Sequence, residues 1–584
     1  MLAKLFRKNL AKHNPASITP PMMDGHADSP AEATVSSYIT GDQIEEDIPS
    51  RSSTSDEIEP RVTVHYGIPS TASTLAFDPI QSLLAVGTLD GRIKVIGGSN
   101  VEALLTSSKQ QPLKYLQFIQ NQGFLISVSN DNEIQAWDLE HRRIVSAIQW
   151  ESSLTAFSTI TGSSFFYVGD EFGMVSVLYY NVDDVKLEIM PYYVPTDSIG
   201  DSMECSSFIQ QSVVGLLPQS SYDEYRLLIA FQDGLLVLWD ISQEKVIKVK
   251  RSKDLQVGRC IIVDHGDSVR NQSNVSFEYD EDKEVCSLCW ISSNGPILAV
   301  GYDDGDILLW NLSPNEPRDG RALEKAMEAI KIQLSTGDRN LPVIVLKWSE
   351  TKSRHNNGGQ LFVYGGDAIG SEEVLTILSL DWSSGFESLE CVNRVNLVLN
   401  GSFADMILLQ SEEHGEHTGV IMLTYPGELR YYDEEAMSSI RTANGKIVNC
   451  SSVNYPTVIQ TTDPYLTLGK LVSITDGSPS AALVENIKNI ERSTMQTQLQ
   501  WPLKGGVPIQ MTNRGNLERI YIAGYQDGSV RMWDATYPHY SLINCIFPVV
   551  EGFDQDIVKA SVSALDFCSV SFSLAVGSDI GSRV

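Results

Sequence analysis

The sequence lacks any uninterrupted apolar stretch that approaches the ~18 residues of a membrane-spanning helix. Its first ten residues also lack the continuous apolar core of a secretory signal, because Lys4, Arg7 and Lys8 interrupt the few large apolar side chains. Cysteines are sparse, eight in 584 residues, and they are scattered over more than half of the chain. Secreted domains that depend on disulfides concentrate their cysteines instead. These absences predict a cytoplasmic protein.

Basic residues are few relative to acidic ones. The chain has 43 Lys and Arg against 74 Asp and Glu, which gives a formal net charge of −31 at pH 7. An electrostatic field of this sign repels phosphate backbones. We therefore expect no nucleic acid among the main partners.

Motifs of metal and catalytic sites are missing as well. Only Cys286 and Cys289 have CxxC spacing, without a second pair or a neighbouring histidine, so a zinc site is not predicted. His414 and His417 lie among glutamates in a stretch typical of a solvated loop. The chain has no HExxH, no G-x-S-x-G and no GxxxxGK[ST] motif. We expect no catalytic residue, no metal site and no cofactor, and so a protein that is not an enzyme.

The N-terminal 60 residues differ in composition from the rest of the chain. Residues 1–12 combine basic and large apolar side chains at helical spacing. This pattern fits a weak contact with a membrane surface or a partner, and it equally fits a helix that frays or docks on the main domain. Residues 13–60 carry six prolines, many Ser and Thr residues and an acidic excess. We expect this acidic linker to be disordered.

From residue 61 the chain repeats short apolar strands separated by turns rich in Gly and Asp. The clearest copy is TLAFDPIQSLLAVGTLDGRIKVIG at residues 74–97. The first two turn-to-turn intervals are 41 residues, which matches the ~40–45-residue repeat of a WD-type propeller blade. Trp-Asp pairs at Trp137, Trp239 and Trp533 close three copies. The predicted structural turn residues, which favour positive φ, are Gly91, Asn132, Gly173, Gly234, Gly305 and Gly528.

Seven copies precede residue 433, and seven is within the common range of blades for propeller closure. The sequence therefore predicts an all-β fold, with a seven-bladed WD-type β-propeller over residues 61–433 and a partial second propeller over residues 434–584. Residues 61–66 could supply the strand that closes the first ring.

RALEKAMEAIKIQL at residues 321–334 indicates a helical insertion, because it is rich in good helix formers. The last repeat stops soon after its turn at Gly581, so we expect an open second ring with an exposed strand edge and low solubility.

Two segments resemble markers of the lethal giant larvae/tomosyn family of WD-repeat proteins. The first, at residues 65–102, shares His65, Gly67, Pro69, the Phe77-Asp78-Pro79 triplet, Gly87, Gly91 and Val101-Glu102. The second, WPLKGG, shares Trp501, Pro502, Gly505 and Gly506. The resemblance covers about residues 61–581 and is more specific than a generic WD repeat.

The resemblance implies a regulator of exocytosis and polarity that binds plasma-membrane Q-SNAREs of the syntaxin class. It also implies two consecutive seven-bladed propellers, recruitment from the cytoplasm to the plasma membrane, and a family-level label of GTPase activator for which no arginine-finger motif is found. The vesicle-SNARE-like coil of tomosyns is absent from this sequence, so we expect a truncated form that binds its syntaxin partner weakly. The alternative is a generic WD-repeat scaffold or a ubiquitin-ligase substrate receptor. The Trp-Asp-x-Arg ending of such receptors is absent, because Leu139-Glu140, Ile241-Ser242 and Ala535-Thr536 follow the Trp-Asp pairs.

Overall fold

A computed structural model gives the fold. It describes residues 65–98, 101–160, 162–195, 198–200, 211–220, 225–255, 257–263, 269–277, 283–291, 297–312, 328–335, 341–350, 358–367, 373–383, 385–410, 417–443, 447–457, 459–461, 464–474, 501–506, 518–536, 540–546, 560–571 and 573–579. Most of these residues lie in β-sheets whose strands pair mainly antiparallel, as predicted for WD-type propeller folds. Within these ranges no helix is long and apolar enough to cross a membrane. The predictions for residues 1–60 and for the turn at Gly581 lie outside the described residues.

The first four sheets have four strands each, in sequence order. Sheet 1 contains Ala72–Asp78, Leu83–Thr88, Arg92–Ile96 and Glu102–Thr106. Sheet 2 contains Leu113–Ile119, Phe124–Ser129, Glu133–Asp138 and Arg143–Gln149. Sheet 3 contains Leu154–Thr159, Phe165–Asp170, Val175–Asn181 and Lys186–Tyr193. Sheet 4 contains Val213–Ser220, Tyr225–Phe231, Leu236–Asp240 and Lys245–Lys250.

Sheets 5 and 6 carry additional strands, and sheet 7 has four strands, the last of which comes from beyond the helix Glu434–Thr442. Sheet 5 contains Val285–Trp290, Ile297–Tyr302, Ile307–Asn311 and Ala329–Gln333, extended by the preceding hairpin Val257–Val263 and Val269–Phe277. Sheet 6 contains Val343–Glu350, Gly358–Gly365, Val374–Asp381, Glu390–Val398 and Ile447–Val448. Sheet 7 contains Phe403–Gln410, His417–Thr424, Glu428–Asp433 and Val453–Asn454.

Two further sheets follow. Sheet 8 contains Leu466–Ser473, Arg519–Tyr525, Val530–Asp534 and Ser541–Ile546. Sheet 9 has two described strands, Val562–Cys568 and Ser573–Ser578. The described helical residues are the α-helix Glu434–Thr442, residues 198–200 and the single 3₁₀ turns Ser252–Asp254 and Phe386–Ser388. Asp433 caps the N-terminus of the α-helix, because its carboxylate accepts a hydrogen bond from the backbone N–H of Ala436 at 2.9 Å.

In sheets 1 to 7 the hydrophobic cores lie between consecutive sheets. Each of the pairs 1–2, 2–3, 3–4, 4–5, 5–6 and 6–7 shares one cluster of buried side chains. A seventh cluster joins sheet 7 back to sheet 1. The tryptophans of the Trp-Asp pairs, Trp137, Trp239 and Trp533, are among the largest fully buried side chains. Because each sheet buries both of its faces against neighbours, the cores connect sheets 1 to 7 in a ring.

Two segments differ from the expected layout. The outer strand of sheet 7 is Val453–Asn454, whereas the sequence suggested residues 61–66 for a closing strand. Residues 61–64 lie outside the described residues, and His65 and Tyr66 are not in a strand. The helix expected over residues 321–334 is wrong for its C-terminal half, because Ala329–Gln333 pairs with Ile307–Asn311. The boundary at residue 433 stays a prediction, although the strands Ile447–Val448 and Val453–Asn454 complete sheets 6 and 7 from beyond it.

Candidate functional site: the junction of sheets 1 and 7

The six predicted turn residues lie in hairpin turns between the second and third strands of their sheets. All six have positive φ, and they are Gly91, Asn132, Gly173, Gly234, Gly305 and Gly528. A Cβ on Gly173 would lie 2.7 Å from the carbonyl oxygen of Gln211, at the entry to the next sheet. A Cβ on Gly234 would meet Lys283 in the same way, at 2.6 Å. These residues therefore allow each turn to contact the chain that enters the neighbouring sheet.

Asn132 replaces glycine in the turn of sheet 2 and adds contacts that glycine cannot make. Its side-chain oxygen accepts hydrogen bonds from the Lys114 Nζ at 2.9 Å and from the backbone N–H of Leu154 at 3.0 Å. Leu154 is the first residue of sheet 3. The Asn132 side chain therefore joins two neighbouring sheets directly.

The Phe77-Asp78-Pro79 marker lies at the end of the first strand of sheet 1. The buried Asp78 carboxylate accepts hydrogen bonds from the backbone N–H groups of Ile80 and Gln81, and from that of Asn121 in sheet 2 at 2.8 Å. Phe77 packs against the core between sheets 1 and 7, and Pro79 is exposed in the turn. The marker thus fixes a turn and joins two sheets.

The second marker segment, residues 501–506, contacts the same region. Trp501 and Leu503 are buried in the core between sheets 1 and 7, with Pro502 half-buried between them. The Trp501 indole N–H donates a hydrogen bond to the carbonyl oxygen of Asn454 at 3.1 Å. The Trp501 ring lies edge-on to Tyr455, with ring centroids 5.3 Å apart. The two markers, separated by about 400 residues of sequence, therefore meet at one junction.

Glycine pairs bring the two backbones together at this junction. Gly98 N–H donates to the Gly505 carbonyl oxygen at 2.9 Å, and Gly505 N–H donates to the Ser82 carbonyl oxygen at 3.2 Å. A Cβ on Gly97 would lie 2.2 Å from the Gly505 carbonyl oxygen. A Cβ on Gly505 would lie 1.9 Å from the Gln81 carbonyl oxygen, and one on Gly506, where φ is +86°, would lie 2.6 Å from a Val101 methyl. Only glycine fits at these positions.

A buried polar cluster lies beside the glycine pairs. The Lys94 ammonium forms an ion pair with Glu102 at 2.5 Å and donates a hydrogen bond to the carbonyl oxygen of His65. The Tyr455 hydroxyl donates to the other Glu102 oxygen at 3.0 Å. Because Tyr455 follows the last strand of sheet 7 while Lys94 and Glu102 belong to sheet 1, this cluster also joins the two sheets.

Burial controls the protonation of this cluster. It lowers the pKa of His65 to about 4, with the positive charges of Lys94 and Arg92 acting in the same direction. Burial also lowers the pKa of Lys94 against the opposing effect of Glu102, and it raises the pKa of Tyr455 well above its ordinary value. The cluster is therefore a neutral histidine and tyrosine around one buried ion pair.

The junction has the chemistry of a structural clamp. Its groups form hydrogen bonds, an ion pair and aromatic contacts within the chain. In the ranges that the structure describes, no group of three or more His, Cys, Asp or Glu side chains could hold a metal ion. Cys286 is exposed and Cys289 packs against the core between sheets 5 and 6.

Sequence reasoning identified both marker segments without placing them together. It missed Tyr455, Asn454 and Asp405, whose carboxylate accepts a hydrogen bond from the Leu75 N–H at 2.8 Å across the junction. Each of these three residues acts through a contact between distant parts of the chain. The second marker was the only sequence signal for this junction, because its large apolar tryptophan and its glycines indicate close packing against another part of the fold.

Comparison with known proteins identifies relatives of the chain. Residues 273–311 match the WD domain, G-beta repeat family, and this range includes three strands of sheet 5. The chain is 21% identical to LLGL scribble cell polarity complex component 2 from Danio rerio over 517 residues, which cover 82% of the chain and 43% of that protein. It is 22% identical to the Lethal(2) giant larvae protein of Drosophila melanogaster over 505 residues, 82% of the chain and 37% of that protein.

A human protein shows the same relationship. Lethal(2) giant larvae protein homolog 1 from Homo sapiens is 20% identical over 525 residues, 81% of the chain and 41% of that protein. The chain thus spans about two fifths of the length of these relatives. With the sheets described above, these comparisons show that the chain contains a WD repeat and is similar to lethal giant larvae proteins over about four fifths of its length.

Proposed function

We propose that this chain is a non-enzymatic regulator of exocytosis, which binds a plasma-membrane Q-SNARE of the syntaxin class through its first seven sheets. The similarity to lethal giant larvae proteins over 82% of the chain is the observation that carries this proposal. A ring of sheets suits such a role, because it presents loops of many sheets on one rigid face. The protein would act in the cytoplasm and reach the plasma membrane through its partner.

The binding surface that we propose is the turn face, the face of the sheets that carries the turns with Gly91, Asn132, Gly173, Gly234 and Gly305. Two of these turns expose large apolar side chains. Leu89 in sheet 1 is 47% exposed and Phe172 in sheet 3 is 57% exposed. Exposed apolar side chains on one face favour a protein partner with apolar groups. Asp90 and Asp131 on the same face form ion pairs with Arg92 and Lys109, which partly balance their charge within the chain.

A binding experiment tests this surface. The full chain would be titrated with the cytoplasmic region of a plasma-membrane syntaxin, and Leu89→Asp and Phe172→Asp should each weaken binding at least tenfold. Ile80→Asp is the matched control, because Ile80 is 53% exposed in the turn at the opposite end of sheet 1. Absence of syntaxin binding by the unmodified chain would overturn the proposal. Equal losses for all three variants would overturn the choice of face.

A second function is favoured by the zebrafish relative, whose name describes it as a component of a scribble cell polarity complex. We infer that this chain is a candidate component of a similar complex. Affinity purification of the full chain followed by mass spectrometry distinguishes the two roles. Co-purification of polarity proteins without any SNARE would favour the second role, and recovery of a ubiquitin-ligase adaptor alone would favour a substrate receptor instead.

A further inference from the structure

Residues 501–506 occupy a groove between sheets 1 and 7 without being part of any sheet. They are inserted between the first two strands of sheet 8, Leu466–Ser473 and Arg519–Tyr525. Those two strands pair directly with each other, so sheet 8 forms its hydrogen-bond ladder independently of the insertion. The segment is therefore a peptide-like element that is held by its contacts with a different part of the fold.

The groove recognises the side chains of this segment at two positions. Trp501 and Leu503 are buried among apolar side chains of both sheets, including Leu75, Leu84 and Leu429. A buried tryptophan with a satisfied indole N–H has the properties of an anchor residue in a protein interface. The aromatic contacts with Tyr455 and Tyr431, at centroid distances of 5.3 and 5.8 Å, add orientation to this anchor.

The groove also recognises the backbone of the segment. Two hydrogen bonds flank Gly505, one to Gly98 and one to Ser82. Glycines on both sides of the contact allow the two backbone segments to approach closely, because a Cβ on Gly98 would lie only 2.9 Å from the Lys504 Cα. A peptide must therefore combine an aromatic anchor with two glycines at a fixed spacing. This requirement gives the groove sequence specificity.

We propose that the groove is a binding site for a Trp-Pro-Leu-x-Gly-Gly peptide, which the chain's own residues 501–506 fill here and which accepts the same segment from a second copy of the chain. The exchange needs no new contact, since the second copy supplies identical groups to the same groove. This inference is independent of SNARE binding, because the groove lies away from the turn face residues Leu89 and Phe172.

Two complementary variants of the full chain test the exchange. Gly505→Val prevents the segment from fitting the groove, because the added side chain would clash with the Gln81 carbonyl, and it leaves the groove itself unchanged. Gly98→Val blocks the groove, because the added side chain would clash with residues 503 and 504 of an inserted segment, and it leaves the segment itself unchanged. Each variant alone should be monomeric in analytical ultracentrifugation, and their equimolar mixture should form a one-to-one dimer. Dimerisation of either variant alone would overturn the exchange. Absence of a dimer in the mixture would also overturn it, provided that circular dichroism shows both variants to be folded.

A peptide experiment tests the groove separately. A fluorescein-labelled peptide of residues 498–508 should bind the Gly505→Val chain at least tenfold more tightly than the unmodified chain, whose groove is filled. The same peptide carrying Gly505→Ala should lose at least tenfold in affinity for that chain. The matched control protein is Gly123→Val, which places a side chain at positive φ in open space and should behave as the unmodified chain. Equal binding of both peptides to the Gly505→Val chain would overturn the proposed specificity.

Discussion

Single residues at the junction of sheets 1 and 7 link its stability to pH. The pKa of the half-buried His65 is lowered from 6.5 to about 4, mainly by burial. A histidine with a lowered pKa takes up its proton more readily in the unfolded chain, so stability should fall as the pH drops from 7 through 6.5 towards 4. Between pH 7 and 5 we expect a loss of about 1 kcal/mol, a value reduced because solvent screens a half-buried group.

Urea unfolding at several pH values would measure this loss. His65→Gln keeps a polar side chain that cannot be protonated, so its stability should change less with pH over the same range. An identical pH dependence in the variant would mean that other groups cause the loss.

Substitutions of Asn132 can separate two contributions of a turn residue to stability, its backbone conformation and its side-chain hydrogen bonds. Its φ is +65°, and its side chain accepts hydrogen bonds from sheets 2 and 3. Asn132→Gly retains the conformation and loses the side-chain bonds, so it should destabilise the chain by about 1 kcal/mol. Asn132→Ala also forces an unfavourable positive φ and should cost about 1–2 kcal/mol more. Unfolding free energies from urea titration would give the difference, and equal values for the two variants would contradict this division.

At the scale of elements, one buried arginine fixes the hairpin that extends sheet 5. The Arg394 guanidinium, in sheet 6, donates to the carbonyl oxygens of Val263 and Leu334 at 2.6 and 2.5 Å. It also forms an ion pair with the buried Asp367 at 2.8 Å. Arg394→Ala should destabilise the chain by about 3–5 kcal/mol, because it removes one partner of a buried pair.

Hydrogen exchange would locate the effect of this substitution. Amide exchange should accelerate across Val257–Val263 before the distant sheet 2 is affected. Arg394→Lys, which keeps the charge without the planar fork, should have an intermediate effect. Uniform acceleration in all sheets would show that Arg394 stabilises the whole ring and not the hairpin.

Elements also show why sequence reasoning succeeds or fails. The strands and turns of sheets 1 to 5 were readable, because Gly or Asn at the turn and alternating apolar residues are local signals. Residues 321–334 read as a helix from their intrinsic propensity. In the fold Ile330 and Ile332 are both buried in the core between sheets 5 and 6, and that tertiary contact determines the strand.

The candidate site was harder to predict, because its residues come from distant parts of the chain. Trp501 had a local signal in the WPLKGG segment. Tyr455 and Asn454 lie in a stretch without any repeat pattern, and nothing local indicates that they receive Trp501. Contacts of this kind depend on how the ring closes.

At the scale of the whole molecule, closure of the ring depends on residues that the repeat pattern assigns to the partial second propeller. The helix Glu434–Thr442 buries Ala436, Met437 and Ile440 in the core between sheets 6 and 7. The strands Ile447–Val448 and Val453–Asn454 then complete sheets 6 and 7. A chain that stops at residue 433, the boundary predicted from the repeats, lacks all of these contacts.

We therefore expect a fragment of residues 61–433 to be less stable than a fragment of residues 61–460. Burial of Met437 and Ile440 alone is worth about 3–6 kcal/mol at ~1.5–3 kcal/mol for each large apolar side chain. Loss of Tyr455 additionally exposes the Lys94–Glu102 pair to solvent. Thermal unfolding should show a lower midpoint for the shorter fragment, and limited proteolysis should degrade it faster. Equal midpoints would mean that sheets 1 to 7 close without the residues after 433, and that the repeat boundary is also the stability boundary.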